Sequence, residues 1–186
     1  MRPLLAVSVC ALAAACASAP PREYESVAAM RGDMSLPTPV DLDLPSPFGD
    51  AVNPRDLRGR VVLLAFVNTD DINCQALARP LEALAARYDD DLAVVLVAGD
   101  ASEGLAARTL LEAWRDVTGL RHARYALATD AVRAGESPVG AIAHVPTLVL
   151  LNRAGAITRR VEGFQSLARL EALVAPAHPR AAHADR

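Results

Sequence analysis

The sequence predicts an α/β fold in which a mixed central sheet is flanked by helices on both faces. Three observations predict it. Val61–Val67 and Leu92–Ala98 are seven-residue runs without a polar side chain, the pattern of strands covered on both faces, as in a parallel sheet. Between them, Leu77, Leu81, Leu84 and Tyr88 recur at spacings of four, three and four, which is the stripe of an amphipathic helix and makes a βαβ unit. Later, Thr147–Leu151 and residues 157–161 flank the turn Asn152-Arg153-Ala154-Gly155 and read as an antiparallel hairpin. A chain of 186 residues, 52% of them hydrophobic, suits one globular domain. Its formal charge of -3 lacks the clustered cations that nucleic-acid binding needs, so nucleic acid is excluded as a partner. All nineteen basic residues are arginine, a compositional bias on which no site can be argued.

Taken in order, the chain opens with an address. Arg2 precedes an uncharged stretch from Leu4 to Ala15, too short to cross a bilayer but right for the apolar part of a secretory signal, here residues 1–15. Ala13-Ala14-Ala15-Cys16 resembles a bacterial lipobox, in which Cys16 is lipidated and becomes the mature N-terminus; cleavage at Ala15-Cys16-Ala17 by an ordinary signal peptidase is the competing reading and gives a soluble product. Acyl chains on Cys16 would hold the protein to a membrane in the cell envelope, facing the periplasm or exterior, since each buried CH₂ contributes about 0.8 kcal/mol. Residues 16–38, with Pro20, Pro21 and Pro37 and no apolar period, read as a lipidated N-terminus and flexible tether.

The domain is expected over 39–175. Val40-Asp41-Leu42-Asp43-Leu44 alternates with period two and, with Ala51-Val52 after a turn-rich stretch, reads as an N-terminal edge β-hairpin. Asp100 stands three residues before Glu103 in the spacing of a capping box, opening a helix whose inner face is read as Leu110, Trp114 and Val117 and which Gly119 ends. The stretch that follows is poorly patterned. Ser166 caps a last helix that Pro176 halts, and residues 176–186 read as a disordered tail.

Three segments, in this order, resemble the TlpA/ResA-type envelope thioredoxin-like proteins from about Val40 to Val174. Asp56-Leu57-Arg58-Gly59-Arg60 leads into an apolar run ending at Phe66; Val145-Pro146-Thr147 resembles the family's cis-proline segment; Leu151-Asn152-Arg153-Ala154-Gly155-Ala156-Ile157 resembles its terminal hairpin turn. The resemblance implies a thioredoxin-like fold and thiol-disulfide oxidoreductase ancestry. It also implies a Cys-x-x-Cys at the start of the first helix, and here the chain departs from the family. The matching residues are Asp71-Ile72-Asn73-Cys74, so Asp71 replaces the first cysteine. Asp70 takes the place of the aromatic before the motif, and Pro80 falls one residue later than the family's helix proline. Ala65 stands where many thioredoxins bury an acid.

Dithiol exchange needs a thiolate to attack and a second thiol to resolve the mixed disulfide. Cys10 lies in the signal and Cys16 at the lipobox, leaving Cys74 alone in the domain, so the cycle cannot close within the chain. Asp71 has a structural reading as a helix N-cap for the Cys74 N–H, and Cys74 one as an inert core residue. Three functions stay open: a protein impaired in dithiol exchange that keeps a face at Val145, Pro146 and Thr147 for an extended peptide or envelope protein partner; a monothiol oxidoreductase using Cys74; and a copper-binding module using Cys74 and His144, with Asp70 or Asp71 nearby. No cofactor is expected for the first two. His122, His178 and His183 read as solvated.

Overall fold

The computed structural model describes residues 23–25, 38–101 and 104–177. The signal segment, Cys16, most of the tether, His178 and His183 lie outside the described residues.

Among the described residues the sheet has six strands in the order β1-β6-β5-β2-β3-β4: β1 Glu23–Glu25, β2 Val61–Val67, β3 Leu92–Ala98, β4 Arg124–Leu127, β5 Thr147–Leu151 and β6 Ile157–Glu162. β2 runs parallel to β3 and β3 to β4, whereas β5 is antiparallel to β2 and β6 to β5. The sheet is therefore mixed, as the apolar runs and the hairpin turn require. β1 pairs antiparallel with β6, Tyr24 opposite Arg160, and so adds an edge strand within the segment read as tether.

Among the described residues, four α-helices pack on it: α1 Ile72–Tyr88, α2 Leu105–Thr118, α3 Asp130–Ala134 and α4 Leu167–Val174. Strand alternation sorts β2 into two cores. Val61, Leu63, Ala65 and Val67 face α1, α2 and α4, burying Leu77, Leu81, Leu84, Leu111, Trp114 and Leu170. Val62, Leu64 and Phe66 face the other way, onto Val40, Leu42, Leu44, Leu57 and Val132. The alternating residues of 40–44 thus bury their apolar side as expected, but as a cover on a sheet face. The hairpin there is reduced to one antiparallel bridge, Leu44 with Val52.

Two expectations are corrected. Asp100 does not cap α2: the helix begins at Leu105 after Gly104, and the Asp100 carboxylate is taken by Thr69 instead. The buried face of α2 is Ala107, Leu111 and Trp114, while Leu110 is 40% and Val117 82% exposed. The pattern between 119 and 146 was too weak to show β4 and α3, because β4 is only four residues long and α3 five. Gly119 does end α2, in the left-handed conformation that glycine adopts without a Cβ penalty. Ser166 caps α4 by accepting from the Arg169 N–H, also as expected.

Candidate functional site

The end of β2 sets the site. After Val67 the chain turns through 68–71 into α1, and the Phe66–Thr147 register brings the start of β5 alongside that turn. The Val145–Pro146 bond is cis, as expected. The Pro146 carbonyl accepts the Gly163 N–H at 2.7 Å, and Thr147, fully buried, donates its hydroxyl to the His144 carbonyl at 2.6 Å. Val145 packs against the core cluster that contains Cys74, so the cis-proline segment and the first turn of α1 share one end of the sheet. Ile72, in the first turn of α1, is 71% exposed, and Phe164, next to the Gly163 that bonds Pro146, is 47% exposed, so both offer apolar surface to solvent.

Asp71 is the N-cap of α1. It has extended backbone angles, and its Oδ1 accepts the Cys74 N–H at 2.9 Å. That bond holds its carboxyl below the ordinary value of 3.8; burial opposes the shift and loses. A depressed acid contributes stability above 3.8 that is lost as pH falls through the lower folded value. Asp71→Ala should therefore lower the Tm by about 3 °C at neutral pH, and the gap from wild type should shrink on acidification below 3.8 in thermal melts followed by circular dichroism.

Cys74 is one turn in and 1% exposed. Burial pushes its thiol up to about 12; a backbone hydrogen bond at Asn68 acts the other way, and the Asp71 and Asp100 charges add to the rise. At pH 8 roughly one thiol in 10⁴ would then be ionised. Ala65 lies on the same sheet face and supplies no acid. The monothiol reading requires an accessible, low-pKa sulfur, and Cys74 is neither. Concerning copper, His144 is exposed while Cys74 is buried, and among the described residues no three His, Cys, Asp or Glu side chains gather as a metal site would.

The turn between β2 and α1 is stitched by contacts the sequence did not show. Asp100 Oδ2 accepts both the Thr69 N–H at 2.7 Å and the Thr69 hydroxyl at 2.6 Å, and Gln75 Nε2 donates to the Thr69 carbonyl at 2.9 Å. The capping-box spacing at Asp100 drew attention to the wrong partner; a bond spanning thirty-one positions leaves no local pattern. Asp100→Ala should raise amide exchange at Thr69 by at least about tenfold while leaving β2 and β3 protected, measured by hydrogen–deuterium exchange.

No protein-family model matches the sequence, and no curated protein does. Solved structures do. A thioredoxin-family thiol:disulfide interchange protein of Chlorobium tepidum is 18% identical with a TM-score of 0.64, over 78% of this chain and 99% of that one. A DsbF homologue from Corynebacterium diphtheriae is 16% identical with a TM-score of 0.65, over 83% and 92%. The exposed lipoprotein thioredoxin of Streptococcus pneumoniae is 16% identical with a TM-score of 0.59, over 73% and 98%. The fold is thioredoxin-like. No helix among the described residues is long and apolar enough to cross a membrane.

Proposed function

We propose that this chain is an exported, envelope-tethered relative of the TlpA/ResA-type oxidoreductases that has lost dithiol exchange and keeps the cis-proline end of the sheet for an extended peptide or envelope protein partner. The observation that carries the reading is the pair Asp71 and Cys74: the first position of the motif caps a helix, and the second is sealed in the core. With no attacking sulfur in the domain, the site retains only the non-covalent half of its ancestral task, which is to seat a chain against the Val145–Pro146 segment with Ile72 and Phe164 beside it. The thioredoxin fold and the lipobox resemblance at Cys16 support the envelope placement, with the lipid on Cys16 as the membrane contact.

Insulin reduction with dithiothreitol tests the loss of catalysis. Wild type should run at the uncatalysed rate, and the native thiol should react with a disulfide reagent about 10³-fold more slowly than free cysteine until denaturant is added. Robust turnover abolished by Cys74→Ser would overturn the reading. Labelled palmitate should be incorporated into wild type and not into Cys16→Ser; a soluble, unlabelled mature product would remove the anchor.

A further inference from the structure

We propose that a cleft at the β4 edge of the sheet binds a phosphate-type dianion. The cleft has a volume of about 360 Å³, within the range of small-ligand sites, and is formed by the loop over 46–52, the last turn of α2 and the start of β4. The groups that matter are Phe48, Asp50, Arg115, Arg121, Arg124 and Tyr125. Two strands, β2 and β3, separate β4 from the cis-proline strand β5, so this is a second site and does not rest on the reading above.

Arg115, Arg121 and Arg124 line the cleft against one lining carboxylate, Asp50, with Asp116 just outside it beside Arg121, so positive charge still exceeds negative there in a chain whose net charge is -3. Their positive charge is only lightly spent. Arg115 lies over the Phe48 ring at 5.1 Å, and its Nε is buried with no hydrogen-bond partner among the described residues. Arg121 is 3.9 Å from Asp116, beyond hydrogen-bond reach, and Arg124 has no ion pair among the described residues. The remaining cation nearby, Arg108, also lies over Phe48 but is held by Glu112 at 2.9 Å.

The frame is rigid. Phe48 meets Tyr125 edge to face with centroids 5.5 Å apart, and Tyr125 meets Trp114 at 6.4 Å. Glu82 accepts the Arg121 and His122 N–H groups at 2.8 and 3.0 Å and so fixes the loop that carries Arg121. A guanidinium presents a planar fork of donors that matches two oxygens of a phosphoryl group, and stacking on an aromatic ring orders that fork in advance. The excess of positive charge favours an anion carrying more than one charge, and Phe48 serves to seat Arg115 for it.

The test uses the full chain with Cys16→Ser, so that no acyl chain contributes to any signal. Calorimetric titration at constant ionic strength with inorganic phosphate and with pyrophosphate should give saturable binding, weakened by at least about tenfold in the double variant Arg115→Gln/Arg124→Gln and unchanged in Arg87→Gln, whose partner is Glu171. Co-sedimentation with phosphatidic acid vesicles, against phosphatidylcholine vesicles, separates the sources. Binding lost in the double variant assigns the phosphate to a lipid headgroup, and binding of the soluble anions alone assigns it to a free phosphoryl compound. No saturable binding of any probe, or binding indifferent to the double substitution, overturns the proposal. Should the double variant melt at a lower temperature than wild type, pyrophosphate-induced amide shifts in wild type decide instead: shifts confined to 46–52 and 115–125 support the site, and shifts elsewhere or none refute it.

Discussion

Asp71→Cys should convert this chain into a working dithiol oxidoreductase, with insulin reduction at least about tenfold above the wild-type background. The side chain at 71 is partly exposed at the amino end of α1, where helix N–H groups favour a thiolate, and it already reaches the Cys74 amide at 2.9 Å. A thiolate there would attack one sulfur of the substrate disulfide, breaking the S–S bond, expelling the other sulfur as a thiolate and forming a mixed disulfide. Cys74 would then break that bond, releasing the reduced substrate thiol and leaving the two cysteines of the chain oxidised; dithiothreitol would reset them. Burial suits Cys74 to this resolving step and unsuits it to attack. The substitution also removes a carboxylate whose charge raises the Cys74 pKa. Asp71→Cys/Cys74→Ser should trap the mixed disulfide and not turn over. An Asp71→Cys protein that forms its internal disulfide yet reduces no insulin would show that more than the attacking sulfur has been lost from the site.

Leu111→Ala should cost about 2–5 kcal/mol, whereas Val117→Ala should change stability by no more than about 0.5 kcal/mol. Leu111 is fully buried in the cluster beneath α2, and its truncation leaves a cavity between Trp114 and the α1 face of the sheet. For a domain of this size the first change corresponds to a Tm loss of about 10 °C, out of a total stability on the order of 5–15 kcal/mol. Urea melts of the two variants with a common m-value measure both. Equal losses would place Val117 in the core and reverse the face assigned to α2.

That pair of residues also shows where the sequence misleads. Leu110 and Val117 are apolar and seven apart, so periodicity alone puts them on a buried stripe with Trp114. The helix has apolar residues on more than one face, and which face turns inward depends on how the crossover from β3 to β4 seats it, a long-range matter. Asp100 is the same case for polar groups. Its sequence neighbours offer a capping box, but Thr69 at the end of the adjacent strand offers two donors, and the sheet brings them together.

The sequence by itself determined the features that depend on near neighbours. Apolar runs of seven make doubly covered strands. Asp71 and Ser166 cap their helices because the N–H groups they bind are three residues away. The turn 152–155 closes a hairpin, and within residues 39–175 the sequence places one cysteine, Cys74. Only the tertiary structure decided that Cys74 is sealed from solvent while His144 is exposed, and that Arg115, Arg121 and Arg124 line one cleft with Phe48. Burial and charge clustering are sums over segments far apart in the chain, and they take definite values only when the sheet order sets which segments are neighbours.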